Sequence, residues 1–347
     1  MKNKEIKNEE IQLSLVQGSS QPILDLLKLN VKSNGKYVKY GEDNLVPLKL
    51  WNTYLNNAIL FGIINGTKDL VLEGLTSDYN YINEDGDTFS EIIEKIVKDY
   101  LIYGGFAIEV ILNKGGEVAQ YIYTDFKSVR VNEDMDTAFI ANKWGKFTTD
   151  YVELPIWNKD TKEKHYLIYV NGNITDSFYP VPLWCGAILS ADILNRVHQF
   201  HSTSVDNNFN VSAIINFNNG TISSTQKQII EDKLKEKFCG SANGSTLMTS
   251  FNEDKDHAVT IEKLDADNWA DKYNSLITYC VDDIFAAFRA TPQLFGIKTG
   301  QNTAFNKEEF NEALALYNKQ QIIPIRNYIK KQIYKTTGIT INFNGNE

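Results

Sequence analysis

The sequence predicts an α+β fold that is organised around two long helices and the small insert between them. Two helical patterns and one strand pattern support this prediction. Apolar residues from Trp269 to Phe288 recur at three- and four-residue steps, which is typical of a helix that buries one face. A second helical pattern follows Pro182. Nearer the N-terminus, FAIEVIL, NKGG and EVAQYIY are typical of two antiparallel strands joined by a glycine turn.

The sequence of residues 1–30 predicts a polar arm that ends in a short apolar helix at 23–29. Two interpretations of this arm stay open, since it either has no fixed structure or lies on a neighbouring subunit. Residues 31–180 predict an α+β domain with a curled antiparallel sheet. Besides the hairpin, the strand-like segments of this domain are 128–131, 138–144 and 166–170.

Proline and glycine residues set the expected limits of the first helix in this domain. Pro47 suits the first turn of a helix, because the N–H that proline lacks would have no partner there. The apolar stripe that follows continues to Gly62 or Gly66. Residues 70–75 then predict a strand.

Two capping boxes predict where further helices begin. Thr88 and Glu91 have the spacing in which each side chain bonds the other residue's backbone N–H, and Ser223 and Gln226 repeat it. The helix that starts after Thr88 is expected to end at Gly104, because glycine adopts the left-handed conformation that closes helices.

The first long helix is expected within residues 181–208. Its apolar side comprises Ile188, Ile193, Val197 and Phe200. His198 and His201 lie one turn apart, a spacing that can hold a metal ion, but no acidic or cysteine partner stands near them in the sequence. We therefore interpret both as surface or interface histidines.

The insert, residues 209–264, predicts a strand–helix–strand unit. The apolar residues expected to face inward from its helix are Ile229, Ile230, Leu234 and Phe238. A fully buried side chain contributes roughly 1.5–3 kcal/mol to the stability of a fold. Because the insert has only a few such residues, it would be marginally stable alone. We expect the insert to pack against other parts of this chain or against another subunit.

After the insert, a second long helix is expected in residues 265–291 and must stop before Pro292, since the residue preceding a proline is pushed out of the helical region. Residues 292–306 have the glycine and asparagine content of a loop. Residues 307–347 predict a last helix that Pro324 kinks or restarts, followed by a short strand.

Composition limits the class of function. The 347-residue chain has a net charge of −9 and a pI of about 5.1. Proteins that read DNA bases usually show a basic surface and use arginine for bidentate contacts. The only arginines are Arg130, Arg196, Arg289 and Arg326. Sequence-specific DNA binding is therefore not expected, although an acidic channel would let DNA pass without holding its phosphates.

The cysteines and the hydropathy pattern argue against secretion and membrane insertion. Cys185, Cys239 and Cys280 are too few and too far apart for a disulfide framework or a zinc site, so we interpret them as reduced. The N-terminus lacks the apolar core of a signal peptide, and no apolar run is long enough to span a membrane. No membrane association is expected.

Familiar catalytic motifs are not found in the sequence. There is no phosphate-binding loop, no nucleophile elbow and no zinc-protease motif. Asp134 and Asp136 belong to an acidic cluster that could hold magnesium only with a distant carboxylate. We therefore expect no enzyme activity, no cofactor and no metal.

An ordered set of motifs adds to this interpretation. The set comprises YGEDN at 40–44, YGGFA at 103–107, Phe209-Asn210 before a strand, the capped helix at 223–238, Gly240 with Asn243-Gly244, IFAAFR at 284–289, TPQLFG at 291–296, and Pro324 within the last helix. In this order the motifs resemble the portal (head–tail connector) proteins of tailed bacteriophages. The resemblance covers most of the chain as a pattern, although no single motif in it is highly specific.

The resemblance implies a portal-like architecture. Residues 31–180 would form an α/β wing domain, and 181–208 and 265–291 the two helices of a stem. The stem would bracket a strand–helix–strand clip at 209–264 and lead into a tunnel loop at 292–306. The kinked C-terminal helix, 307–347, would return to the wing and leave at most a minimal crown.

The resemblance also implies a channel and the residues that line it. Lys298, Gln301, Asn302 and Lys307 are the candidates for groups near passing phosphates. Asp271, Asp282 and Asp283 are the candidates for acidic groups that face the lumen.

The implied function is structural. Portals form rings, usually dodecamers, at one capsid vertex, and double-stranded DNA is packaged and ejected through them. The implied partners are further copies of the chain, the terminase, the major capsid or scaffold protein and head–tail adaptors. The implied location is the virion, after assembly in the host cytoplasm.

Two other classes stay open beside the portal interpretation. One is a metal-dependent DNA-processing enzyme that would use Asp134, Asp136 and a distant carboxylate. The other is another ring-forming virion structural protein, such as a head–tail adaptor.

Overall fold

The computed structural model describes residues 35–145, 150–172, 177–206, 211–217, 223–238, 246–251, 269–296 and 307–343. It contains both helices and sheets, as the sequence predicts. The helices are α1 Val46–Asn56, α2 Ala58–Leu72, α3 Phe89–Tyr103, α4 Ile188–Asp206, α5 Ser224–Phe238, α6 Trp269–Phe288, α7 Lys307–Tyr317 and α8 Ile323–Thr337. The strands are β1 Leu75–Ser77, β2 Gly105–Leu112, β3 Val118–Thr124, β4 Val129–Val131, β5 Thr137–Ile140, β6 Val152–Pro155, β7 His165–Asn171, β8 Val211–Phe217, β9 Thr246–Phe251 and β10 Ile341–Phe343. The expected arm at 1–30 lies outside the described residues.

Two small antiparallel sheets form the centre of the first half of the chain. In one sheet β2 lies between β3 and β7, and in the other β5 lies between β4 and β6. The hairpin of β2 and β3 is confirmed. The expected strand at 138–144 ends earlier, at Ile140, and β6 was not predicted because four residues are too short for a clear alternating pattern. We call residues 35–172 the sheet domain.

The first helical region differs from its prediction. Asn57 has an extended backbone and its side chain accepts a hydrogen bond from the Leu60 N–H, so a new helix, α2, begins there. Helix α2 continues through both glycines to Leu72, and the strand predicted at 70–75 is wrong. Arg326 of α8 donates to the carbonyl oxygens of Leu70 and Val71 at 2.7 and 2.9 Å, which satisfies the open end of this helix.

The predicted helix limits around α3 are confirmed. Thr88 and Glu91 form both bonds of the capping box. Gly104 ends the helix with φ 84° and donates its N–H to the Tyr100 carbonyl at 2.8 Å. Helix α3 packs on β2 and β3, and its buried residues belong to a core that also receives residues from α1, α2, α4, α6 and α8.

Helices α4 and α6 pack side by side and run antiparallel. Ser190, near the start of α4, bonds Asp283, near the end of α6, at 2.6 Å. Farther along the pair, the rings of Phe200 and Tyr273 stack at 5.7 Å. We call α4 and α6 the helix pair.

The apolar side predicted for α4 is partly wrong. Phe200 is 53% exposed, and the buried positions include Ala191 and Leu194 instead. The prediction for α6 is closer, because Cys280, Ile284, Phe285 and Phe288 are buried.

The insert has the predicted order of strand, helix and strand. Strands β8 and β9 pair in parallel, with α5 connecting them. Ser223 and Gln226 form the second capping box, which is confirmed. Ile229, predicted to face inward, is 49% exposed. The remainder of the predicted insert, 252–264, lies outside the described residues.

The C-terminal helix changes its geometry next to Pro324, where a kink or a restart was predicted. A π-helical turn at Asn318–Ile322 separates α7 from α8, and Pro324 lies in the first turn of α8. Gly338 closes α8 with φ 74°, and β10 then pairs antiparallel with β1. Across the described segments, no helix combines the length and apolar character that crossing a membrane requires.

Candidate functional site

The helix pair begins on a rigid base in the sheet domain. Tyr40 donates its hydroxyl hydrogen to the Pro180 carbonyl at 2.5 Å, and the Trp184 indole N–H donates to the Leu101 carbonyl at 3.1 Å. The Asn57 amide that caps α2 also donates to the Ala191 carbonyl of α4 at 3.2 Å. Because all these groups are buried, the contacts orient the start of α4 strongly.

A buried arginine holds part of this base together. Arg130 is 1% exposed, and it donates to the backbone and side-chain oxygens of Asn44 at 2.7 and 2.6 Å and to the Val129 carbonyl at 2.7 Å. Its guanidinium lies 4.8 Å from the Trp144 ring centroid. Burial lowers its pKa to about 10, which still leaves it charged at neutral pH.

The start of the predicted tunnel loop is anchored. Phe295, next to its N-terminal end, packs edge-on against Tyr317 of α7 with ring centroids 5.8 Å apart. The Tyr317 hydroxyl lies 2.7 Å from the Thr67 hydroxyl of α2. The start of this loop is therefore held against α7, and α7 is joined to α2 through the same tyrosine.

The predicted phosphate contacts can be placed only in part. Lys298, Gln301 and Asn302 lie outside the described residues. Lys307 is exposed and begins α7, where Glu308 and Glu309 occupy the first turn. Acidic groups at the N-terminal end of a helix interact favourably with the helix dipole, whereas a lysine there does not.

The predicted acidic residues lie on α6. Asp282 and Asp283 are both exposed, and the Asp283 carboxylate accepts the hydrogen bond from Ser190 that joins the helix pair. Burial and the nearby Asp283 raise the pKa of the Cys280 thiol. Asp271 lies in the first turn of α6, and its side chain is outside the described part of the structure.

The helix pair also exposes apolar side chains, among them Phe200, which the sequence assigned to the apolar side of α4, and Tyr279, which it did not single out. Tyr279 is 73% exposed, Phe200 53% and Leu276 39%. Tyr279 lies outside the buried stripe of α6. An aromatic residue on the polar side of a regular helical pattern is the feature of the sequence that could have indicated its exposure. Apolar groups exposed together in this way are typical of surfaces that bind another protein.

The metal-binding interpretations receive no support from the described residues. His198 is exposed, and His201 lies edge-on to the rings of Phe200 and Tyr273. The Asp136 carboxylate accepts hydrogen bonds from Thr137 and Asn132, which lower its pKa. Within the described ranges, no three His, Cys, Asp or Glu side chains are close enough to hold a metal ion.

Comparison with known proteins finds structures that are similar to this chain. No protein-family model and no curated protein matches the chain. A chain from the virion of the native gene transfer agent (GTA) particle is 14% identical with a TM-score of 0.57, covering 93% of this chain and 88% of that chain. A chain from the neck of the native GTA particle, computed with C12 symmetry, is 14% identical with a TM-score of 0.53, covering 85% and 83%.

A third structure is an HK97-family phage portal protein from Corynebacterium diphtheriae. It is 12% identical with a TM-score of 0.47, and the match covers 84% of this chain and 93% of that chain. The two GTA likenesses show that this chain shares their fold, and they agree with the resemblance that the sequence pattern indicates.

Proposed function

We propose that this chain is a portal protein, which forms a ring at one capsid vertex through which double-stranded DNA is packaged and ejected. The observation that carries the proposal is the fold shared with a chain from a virion neck of C12 symmetry, over 85% of this chain. The motif order in the sequence supports the same conclusion.

The proposed parts follow the described elements. The sheet domain together with α7 and α8 is the wing, and the helix pair is the stem. The β8–α5–β9 unit is the clip, and residues 292–306 are the tunnel loop. The anchoring of Phe295 on α2 and α7 supports the last assignment, since a loop that meets DNA needs fixed ends to keep its position.

Ring formation requires two different surfaces that meet head to tail between neighbouring subunits. The exposed apolar residues of the helix pair, Phe200, Leu276 and Tyr279, supply one such surface. We propose a dodecamer, in keeping with the C12 symmetry of the neck that contains a chain of this fold.

The charge of the chain suits passage of DNA rather than binding. A net charge of −9, with Asp282 and Asp283 exposed on the stem, disfavours tight binding of phosphates. Lys307, and Lys298, Gln301 and Asn302 of the tunnel loop, are the groups we propose to approach the passing DNA.

The proposed role is structural and involves no chemical step. Its partners are further copies of the chain, a terminase, a scaffold or major capsid protein, and head–tail adaptors. The proposed location is the portal vertex of the virion, reached after assembly in the host cytoplasm.

Negative-stain electron microscopy of the purified protein, with light scattering on the same sample, tests the proposal. We expect rings with a central hole and a mass near that of a dozen subunits. A monomer or dimer at all salt and protein concentrations would contradict ring assembly. Magnesium-dependent cleavage of plasmid DNA by the same sample would favour the DNA-processing enzyme instead.

A further inference from the structure

Helix α1 carries an apolar surface that faces away from the core. Leu48 is 43% exposed and Leu55 49%, and Trp51, which lies between them, is half-buried. The three residues recur at steps of three and four, so they lie along one side of the helix. We call them the α1 face. Because α1 already buries Leu50 and Tyr54 from another side, the α1 face is available to a partner.

The exposed residues of the helix pair form a second apolar surface. Phe200 stacks on Tyr273, and Leu276 and Tyr279 follow along the exposed side of α6. We call Phe200, Leu276 and Tyr279 the outer face. Leu189, which is 43% exposed, lies about three turns before Phe200 on the same side of α4 and extends this surface.

The two surfaces lie on opposite sides of the layer that α1 and α4 form. The helices meet where the Asn195 side chain of α4 donates to the Thr53 carbonyl of α1 at 3.4 Å. Successive residues of a helix are rotated by about 100°, so Leu48 and Leu55 lie roughly 140–160° around α1 from Thr53. Phe200 lies roughly 140° around α4 from Asn195 by the same geometry. Each surface therefore points away from the contact between the helices.

This arrangement suits a ring. In a closed ring each subunit brings one surface to the neighbour on one side and a different surface to the neighbour on the other. The outer face accounts for one of these surfaces only. The α1 face is apolar, exposed and directed the opposite way, so it meets the requirement for the second.

Charged groups beside the two faces have opposite signs. The Lys98 ammonium lies 5.0 Å from the Trp51 ring centroid, at the α1 face. Asp282 is exposed on α6, one turn from Tyr279, at the rim of the outer face. Neither side chain forms an ion pair with another residue in the described part of the chain. Lys127 also lies over Trp51, but it is already paired with Asp125, so Lys98 is the cation that a partner can reach.

We propose that the α1 face of one subunit binds the outer face of the next copy of this chain, with Lys98 opposite Asp282. Contact between the faces removes the exposed leucines and aromatic rings from water, and the opposite charges favour this pairing over other orientations. The inference rests on the proposed ring and adds to it the second surface and the identity of its partner.

Charge reversal on each face tests the pairing. Lys98→Glu places two acidic groups opposite each other, and Asp282→Lys two basic groups. We expect each variant alone to raise the protein concentration at which half the subunits assemble by about fivefold or more, because like charges oppose contact. Glu308→Lys, which makes the same change of charge at an exposed position on α7, is the control for Asp282→Lys and should leave this concentration unchanged.

Mixing the two variants gives the sharpest result. In a ring where Lys98→Glu and Asp282→Lys subunits alternate, every interface again joins one acidic and one basic group. An equimolar mixture should therefore assemble within about twofold of the wild-type concentration, as measured by light scattering. A mixture that assembles no better than the separate variants would overturn the pairing. Unfolding of either variant cannot imitate success, because an unfolded subunit is not rescued by mixing.

Disulfide trapping locates the contact between the faces. Cys185 and Cys239 are replaced by serine, and Leu48→Cys or Leu55→Cys is combined with Leu276→Cys or Tyr279→Cys in one chain. A disulfide needs Cα atoms within about 7 Å, so a link reports direct contact. We expect at least one combination to give a ladder of linked subunits on a denaturing gel without reductant, and the single-cysteine variants to give none.

The outcomes separate this inference from the proposed function. Wild-type rings without a ladder from any of the four combinations would overturn the α1 face as the second surface and leave the portal proposal standing. Dimers from a single-cysteine variant would also overturn it, because a face that binds its own copy cannot continue a ring. Failure of the wild type itself to form rings would contradict the proposed function and this interface together.

Discussion

At the residue scale, a buried carboxyl group connects α3 to the segment after β3. Asp99 is 3% exposed and accepts hydrogen bonds from the Phe126 N–H and the Tyr123 hydroxyl, both at 3.0 Å. Burial raises its pKa well above the usual value, and the negative charge of Asp125 adds to the effect. The folded protein therefore binds this proton more tightly than the unfolded chain does.

This shift predicts a loss of stability as the pH rises. An aspartate in an unfolded chain has a pKa of about 3.9. When its pKa in the folded protein is higher, the group stabilises the fold to the full extent at a pH below about 3.9, and this stabilisation is lost as the pH rises toward the folded pKa. Asp99→Asn keeps an acceptor for both hydrogen bonds and cannot ionise. We expect the variant to gain stability over the wild type as the pH is raised, by up to about 1.4 kcal/mol per pH unit.

Denaturant unfolding at pH 4, 6 and 8 measures the effect. Asp136→Asn is the matched control, because hydrogen bonds lower the pKa of Asp136 and its pH dependence should have the opposite sign. A difference between wild type and Asp99→Asn that stays constant with pH would contradict the prediction.

The second residue-scale prediction concerns Arg130. Arg130→Met removes the donors for the Asn44 and Val129 oxygens inside the sheet domain, so the free energy of unfolding should fall by about 3 kcal/mol or more. Arg196→Met, at an exposed position on α4, should change it by less than about 1 kcal/mol. Equal effects of the two substitutions in thermal or denaturant unfolding would show that the buried network contributes little.

At the element scale, the contact between α2 and the segment that begins at Pro292 depends on a glycine. A Cβ atom at Gly66 would lie 2.8 Å from the Phe295 ring, whereas a Cβ atom at Gly62 would meet nothing within 4 Å. Both glycines lie in the same helix, so they differ chiefly in this contact. Substitutions at the two glycines therefore separate the effect of close packing on stability from the effect of helix propensity.

Alanine at the two positions should have opposite effects. Gly62→Ala should stabilise the protein by about 0.5–1 kcal/mol, because alanine favours the helix. Gly66→Ala should destabilise it by about 1–2 kcal/mol relative to Gly62→Ala, because Phe295 must move. Thermal unfolding of both variants checks this, and equal stabilisation would mean that Phe295 shifts at little cost.

At the scale of the whole molecule, the proposed ring depends on the exposed side of the helix pair. Tyr279 and Tyr81 are both 73% exposed, but only Tyr279 lies on the helix pair. Tyr279→Asp should raise the protein concentration at which half the subunits assemble by about tenfold or more, because a buried charge replaces an aromatic contact. Tyr81→Asp should leave it unchanged. Light scattering across a dilution series measures the assembly of both variants. An equal effect of the two substitutions would show that α6 does not form the interface.

The features of this protein that depend on neighbouring residues could be predicted from its sequence. The capping boxes at Thr88 and Ser223, the end of α3 at Gly104 and the restart at Pro324 were all predicted, because each arises within one helical turn. The buried residues toward the end of α6 were also predicted, because apolar residues recur there at regular three- and four-residue steps.

The features that depend on residues distant in sequence could not be predicted in this way. Helix α2 continues past Gly66 and ends against Arg326, some 250 residues away, so no local pattern marks its true end. The exposure of Phe200 and Tyr279 and the burial of Asp99 likewise follow from how the elements pack. Short-range hydrogen bonds and backbone preferences act within a turn and can be inferred from the sequence, whereas burial requires knowing which surfaces meet.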